Sequence, residues 1–336
     1  MGFFMNSLAV VVAFILLPYY LPDSPITQDV NKLPEEAQTW YKQGQLTSIN
    51  GYKVFSIYKK CSNPKVVNPP TFVLIHGFPS SSYDYHKVLD GLLSKGDVFM
   101  HDHIGFGFSD KPVQNFTYSL TEAADNCLAT WEMFGIKKAH VVSHDMGDSI
   151  LTEILARRHR NMLPDYFSNF FESITFTNGG MKYSMINFRI GQRMMSSSLG
   201  PYFSMVNSKL GLSRVFSSQL KSVWGPNSDH DEMMKEIALI TALNDYKGGT
   251  KIMHKLIYYL WDRAHFEFRW FSALSEIDVP VRFIWSDSDA VSPMSIPRFF
   301  RSFVPGAKFE VVQDAGHFYM LEKPKEWLLK ITNILD

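Results

Sequence analysis

An α/β domain with a mostly parallel sheet flanked by helices, carrying an inserted helical cap, is the fold this sequence predicts. Two patterns carry the expectation. Short apolar runs of strand length alternate with helix-length amphipathic segments through most of the chain, as parallel strands joined by crossover helices require. That alternation stops between residues 179 and 270, where Met, Phe, Arg and Ser dominate and only helical segments appear. Composition agrees: 336 residues that are 46% hydrophobic, 15% aromatic and 20% charged hold ample core material for one large domain with an insertion, and they exclude a disordered or collagen-like chain.

The elements follow in order. From Gly2 to Pro22 there is no charged side chain, and Leu8 to Leu17 is continuously apolar. Phe3 to Leu21 approaches the roughly 17–25 residues that span a hydrocarbon core, so residues 1–22 are expected to be a membrane anchor, with a cleaved signal or a buried helix as the other readings. The absence of Lys or Arg before the run and the Pro18-Tyr19-Tyr20-Leu21-Pro22 after it argue against a cleavage site. Runs at Gln45 to Ile49 and Tyr52 to Tyr58 read as a hairpin turning at Asn50-Gly51. Strands are expected at Thr71–Ile75, Val98–Met100, Ala139–Val142, Ser173–Phe176, Val281–Trp285 and Phe309–Val312, with helices at Leu120–Phe134 and Ser149–His159. The core is thus residues 45–178 and 271–336. The cap, residues 179–270, includes helical segments at Asp231–Leu243 and Thr250–Trp261.

Charge and cysteine usage limit the function classes. Lys plus Arg and Asp plus Glu number 33 each, so no net field gathers nucleic acid. Cys61 and Cys127 lack the spacing of a zinc or redox motif, no metal or cofactor is called for, and nothing sets an oligomeric state. Asn115-Phe116-Thr117 is a glycosylation sequon that suits a lumenal body and is equally an ordinary loop.

Parallel sheets expose reactive groups at the carboxyl ends of their strands, and four segments lie there. His76-Gly77-Phe78-Pro79 follows a strand; Gly77 permits close backbone approach, so that the Phe78 amide can serve as an oxyanion donor. Asp102 to Ser109 holds two glycines of a tight loop, without the third glycine of a dinucleotide site. Ser143-His144-Asp145-Met146-Gly147, between strand and helix, has the form of a nucleophile elbow with Asp145 at its centre and the Met146 amide as a second oxyanion donor. Taken alone, Asp145 reads equally well as a helix cap. Asp289 and His317 then follow two later strands, in the chain order nucleophile, acid, histidine. Asp287 competes with Asp289, which is favoured by its spacing to Val291 and Pro293; the loop after the preceding strand has Asn178 instead of a carboxylate.

These motifs resemble the α/β-hydrolase fold, and the aspartate elbow resembles its epoxide hydrolase and haloalkane dehalogenase branch. The likeness covers about residues 45–336 and is strongest in the sheet domain. It implies a triad of Asp145, His317 and Asp289. The stretches HGFPSSSYDY, GFGFSDKP, SHDMGD and TNGG are similar to a membrane-associated group within that branch, which implies the endoplasmic reticulum membrane, a secreted or lumenal protein being the alternative.

Chemistry follows from the nucleophile. A carboxylate, with a reference pKa of about 3.9, needs no base to be ionised and attacks an electrophilic sp3 carbon to give an alkyl ester of Asp145. His317, oriented by Asp289, would then activate water to open that ester. Attack on a carboxylic ester would instead give a high-energy anhydride, which disfavours a lipase or acyl transferase. Dehalogenases of the branch hold halide with side-chain N–H groups where this chain has Phe78 and Met146, neither of which can donate. An epoxide oxygen needs a proton donor, commonly a cap tyrosine in the resembled enzymes, and the cap offers Tyr183, Tyr202, Tyr246, Tyr258 and Tyr259, each of which also reads as a packing residue. The Phe- and Met-rich cap, with Phe188, Met194, Met195, Phe203 and Met205, would line an apolar pocket, face a bilayer or pack on the sheet. The expected partners are an apolar or lipid-like substrate and a membrane. A non-catalytic ligand-binding protein on a hydrolase scaffold is the alternative from another class.

Overall fold

A computed structural model describes residues 16, 18–22, 24–210 and 213–335 of the chain. Eight strands form one sheet: β1 (Gln45–Ile49), β2 (Tyr52–Lys59), β3 (Thr71–Ile75), β4 (Asp97–His101), β5 (Ala139–His144), β6 (Phe171–Thr177), β7 (Val281–Ser286) and β8 (Lys308–Val312). Their spatial order is β1-β2-β4-β3-β5-β6-β7-β8. The hairpin turns at Asn50 and Gly51, both at positive φ, and pairs Ile49 with Tyr52. β2 also runs antiparallel to β4, and every later pairing is parallel.

Helices of the sheet domain are α1 (Glu35–Tyr41), α2 (Leu89–Leu93), α3 (Leu120–Met133) and α4 (Met146–His159). Between β6 and β7 the chain leaves the sheet through α5 (Ile190–Met195), α6 (Gly200–Leu210), α7 (Ser213–Lys221), α8 (His230–Asp245), α9 (Met253–Leu256) and α10 (Tyr259–Leu274), and it finishes with α11 (Ser295–Arg301), α12 (Tyr319–Glu322) and α13 (Pro324–Thr332). The central strands are buried along their lengths, β4 and β7 completely, because helices cover both faces. This is why their sequences read as continuous apolar runs without alternation.

One expected cap helix is broken. Thr250–Trp261 is divided into a 3-10 turn ending at Ile252, the short α9 and the start of α10. Lys247 and Gly248 lie at positive φ just before it, and the buried Lys111 ammonium takes the carbonyls of Leu243 and Tyr246, which pulls the end of α8 off a helical path. Most of the expected anchor, residues 1–15 and 17, lies outside the described residues; among the described residues no helix is long and apolar enough to cross a membrane.

Candidate active site

The turn from β5 into α4 places Asp145 at φ 46° and ψ −109°, a left-handed conformation that a non-glycine residue adopts only when its surroundings enforce it. Two glycines make the enforcement possible. A Cβ on Gly147 would lie 2.6 Å from the Ile75 carbonyl oxygen, and one on Gly77 would lie 2.5 Å from the Asp145 Cβ. The β3 loop and the elbow can therefore touch. Behind the turn, the Ser143 hydroxyl donates to the buried Asp148 carboxylate at 2.5 Å. Asp145 makes no side-chain cap to α4; its carboxylate points elsewhere.

Its two oxygens have different surroundings. Oδ2 accepts the Phe78 backbone N–H at 3.0 Å. Oδ1 lies 4.0 Å from His317 Nε2 and 3.6 Å from Arg263 Nη2. Met146 is the first residue of α4, where an amide has no intrahelical acceptor. Asp145 thus already has one oxygen in the expected oxyanion site and the other facing the histidine.

His317 is held on its far side by Asp289, with Nδ1 at 2.8 Å from Oδ2. Asp289 is saturated as an acceptor: Asn178 Nδ2 donates to Oδ2 at 2.6 Å, and the amides of Val291 and Ser292 donate to Oδ1 at 2.7 and 3.0 Å. Asp287 is exposed and bonded to Ser288, away from the ring. Trp285 in β7 donates its indole N–H to the Ser292 carbonyl, fixing the acid loop to the core. Burial works against a charge on the His317 ring, yet the Asp289 charge and hydrogen bond, with Asp145 beyond, carry its pKa up to about 9. The two acidic side chains flanking the ring therefore favour its protonated form.

Several residues were not legible as site residues. Arg263 of α10 is fully buried beside Asp145, donating from Nε to Ser149 Oγ at 2.8 Å and from Nη2 to the Asp145 carbonyl at 3.0 Å, over the face of Tyr259. Asn178, set aside as a missing acid, positions Asp289. The histidine loop is clasped to the cap: the His317 amide donates to the Val223 carbonyl at 2.8 Å, and the Glu322 carboxylate accepts the amides of Gly225 and Gly316 and the Ser228 hydroxyl. Asp84 is buried near His317, with the Ser80 hydroxyl on one oxygen and no partner on the other; burial lifts its pKa to about 8. None of these shows a local pattern in sequence, because each depends on which helix is laid over the site.

Above Asp145 and His317 lies a cavity of about 190 Å³ between core and cap. Phe78, Val291 and Phe318 line it from below, and Met194, Met195 and Phe203 from above. Phe188 instead packs on Tyr183, and Met205 is outside the lining. None of the five cap tyrosines lines this cavity. Tyr183 stacks on Phe188, Tyr202 lies against Phe203 and Tyr19, Tyr246 is packed against Phe108, and Tyr258 is exposed. Tyr259 is buried against Phe78 and Arg263, behind the cavity wall. The polar side chains on the cap side are Arg189, Gln192, Asn207 and Gln219.

Among the described residues one group has metal-ligand spacing: His101, His103 and Cys127 place ligand atoms within 4.8 Å of one another. Cys127 Sγ lies 3.6 Å from His101 Nε2 and 3.9 Å from His103 Nδ1. Burial raises the Cys127 thiol well above its usual range and lowers both imidazoles, so the group holds together as neutral hydrogen-bonding partners.

Comparison with known proteins agrees with this architecture. The family profile for the alpha/beta hydrolase fold matches residues 70–324. The mesoderm-specific transcript homolog protein of Bos taurus is 30% identical over 95% of this chain and 92% of its own length. A hydrolase designated LipZ from Mycobacterium tuberculosis is 33% identical over 79% of this chain and 88% of its own. Among solved structures, the haloalkane dehalogenase DbeA of Bradyrhizobium elkani superposes with a TM-score of 0.65 at 17% identity, covering 87% of this chain and 99% of that one.

Proposed function

The chain belongs to the alpha/beta hydrolase fold family, and from that premise we propose that it is a membrane-anchored hydrolase that works through an alkyl ester of Asp145, opening epoxides of apolar, lipid-like molecules. One observation carries the reading: an aspartate stands at the elbow, with Oδ2 on the Phe78 amide and Oδ1 turned toward His317. Oδ1 attacks the epoxide carbon, the ring C–O bond breaks, and its electrons go to the oxygen, which takes a proton from cavity water and leaves a hydroxide in the cavity. In-line displacement points that oxygen away from Asp145 and into the cap, where Arg189, Gln192, Asn207 and Gln219 can donate hydrogen bonds. With no tyrosine in the lining, these donors replace the expected one.

Esterification removes the negative charge beside His317, so the ring gives up its proton more readily, and the cavity hydroxide takes it to become water. The neutral imidazole then takes a proton from water, and the resulting hydroxide attacks the ester carbonyl. Its oxyanion develops on Oδ2, where the Phe78 amide already sits, joined by Met146. Collapse expels the alkoxide, which takes the proton of the newly formed carboxylic acid, so that the diol leaves and the carboxylate is restored. The apolar N-terminal run supports membrane attachment, and the likeness to a membrane-associated group favours the endoplasmic reticulum.

The test is incubation of the wild type and Asp145→Ala with lipophilic epoxides, alkyl halides and acyl esters in oxygen-18 water. The proposal expects epoxide turnover by wild type alone, with single-turnover label entering Asp145. Turnover confined to acyl esters, or label absent from Asp145, would overturn it. Full-length protein should stay in the pellet on alkaline carbonate extraction of membranes; release into the supernatant would rule out the anchor.

A further inference from the structure

Although the whole chain is formally neutral, its charge is not evenly spread. From Ser173 to Ser228 there is no Asp or Glu, while Lys182, Arg189, Arg193, Lys209, Arg214 and Lys221 all fall within that stretch. This cationic segment is the first half of the cap and includes α5, α6 and α7. It also carries exposed apolar side chains: Ile190 is 71% exposed, Leu199 58%, and Met194 and Leu210 are exposed as well. Trp261 and Phe268, seven residues apart on one outward stripe of α10, extend the surface; Trp261 donates its indole N–H to the Ser196 carbonyl, which joins α10 to the loop between α5 and α6. Basic residues interleaved with exposed aliphatic and aromatic side chains are what an anionic lipid surface selects.

The placement of the N-terminus supplies an independent argument. Lys209 Nζ donates to the Leu21 carbonyl at 2.5 Å, the Ser24 amide donates to the Ser208 carbonyl, and Tyr19 lies against Tyr202. Tyr19, Leu21 and Ser24 therefore lie against α6, and in sequence they directly follow the apolar run of Leu8 to Leu17. That same helix contributes Phe203 and Val206 to the cavity wall. Met194 is both exposed and part of the cavity lining, so the outer apolar surface is continuous with the mouth of the site.

We propose that this face of the cap docks on an anionic phospholipid bilayer, with the cavity mouth at Met194 opening into the lipid. Docking is a property of the surface alone; the corollary that a lipid-like substrate enters from the membrane rests on the hydrolase reading above. The N-terminal run holds the protein at the bilayer, and the cationic segment selects which face meets it.

The protein contains its own reporter. Of its seven tryptophans, Trp261 is 41% exposed, and Trp40, Trp131, Trp224, Trp270, Trp285 and Trp327 are all buried. Full-length protein is mixed with vesicles of phosphatidylcholine and phosphatidylserine brominated in their acyl chains, and vesicle binding is read by flotation alongside tryptophan fluorescence. The expected result is flotation with quenching, and loss of that quenching in Trp261→Phe although flotation persists. Ile190→Asp with Leu199→Asp should likewise reduce quenching while the N-terminal run keeps the protein on the vesicle. Flotation without quenching, or quenching unchanged in Trp261→Phe, overturns the docking face and leaves the anchor standing. No flotation overturns both. Absence of epoxide turnover bears on neither, so failure of the chemistry is separable from failure of the docking.

Discussion

Replacing His317 with Gln separates the two halves of the proposed reaction. The first half needs Asp145 Oδ1, the Phe78 amide on Oδ2 at 3.0 Å and the donors of the cap lining, and the substitution touches none of them. The second half needs a base. The 4.0 Å between His317 Nε2 and Oδ1 is too long for a direct hydrogen bond. It suits a water seated off the line, about 2.8 Å from each at an angle of about 90°. Glutamine fills much of the same volume but cannot take that water's proton.

General-base catalysis is worth roughly 10²–10⁴ in rate, or about 2.7–5.5 kcal/mol of barrier. The loss should fall on ester hydrolysis alone, so His317→Gln should turn over about 10²–10⁴ more slowly and accumulate the intermediate. With styrene oxide or a long-chain terminal alkene oxide, intact mass spectrometry should show one substrate mass added, mapping to Asp145. A folded variant that turns over as fast as wild type, or that slows without any adduct, would refute the covalent route. An adduct on another side chain would refute Asp145 as its origin.

Three further outcomes follow from the geometry. The His317 ring should titrate near pH 9 by NMR, and Asp289→Asn should move that titration down. Because the folded pKa lies above the ordinary 6.5, the ion pair stabilises fully below that value and fades as pH rises through about 9, so the melting temperatures of wild type and Asp289→Asn should converge in alkali; a constant gap would contradict the pairing. Gly147→Ala, whose Cβ would sit 2.6 Å from the Ile75 carbonyl oxygen, should lose about 1–3 kcal/mol in denaturant melts, and an unchanged midpoint would count against the close approach. Arg263→Gln, removing a buried charge next to Asp145, should cost about 3–5 kcal/mol of stability; Arg263→Lys keeps the charge but not the planar fork, and should regain part of the stability without regaining the rate, which a full rescue of turnover would disprove.

Which parts of the molecule can be read from sequence depends on the range of the interactions that decide them. The hairpin at Asn50-Gly51 and the buried strands are set by neighbouring residues, and they fall close to where periodicity puts them. The elbow is similarly local, since Ser143 and Gly147 are the small residues that a sharp turn demands. Asp287 and Asp289 are chemically alike and two positions apart; the ring of donors from Asn178, Val291 and Ser292 separates them. Thr250–Trp261 has a helical pattern, but a lysine from a distant loop takes the carbonyls of Leu243 and Tyr246 ahead of it. The cap tyrosines show the limit most clearly: their number is visible, while the direction each side chain faces depends on helix packing. Arg263 is invisible for the same reason, being an ordinary basic residue until α10 lies against α4.

Three tethers join the cap to the candidate site. Arg263 reaches down from α10 to the Asp145 carbonyl and Ser149. The Val223 carbonyl takes the amide of His317 itself. Glu322, just after the histidine loop, binds Gly225 and Ser228 of the cap. Gly225 and Gly316 approach so closely that a Cβ on Gly316 would lie 2.3 Å from the Gly225 nitrogen, which leaves little slack in the clasp. A displacement of the cap must therefore break bonds to Asp145 or to His317, or carry those residues with it. The elbow is already in a conformation that needs external support, so its geometry depends on the element above it. If the outer face of the cap meets a lipid surface, the same tethers connect that surface to Asp145 and His317 through a few hydrogen bonds.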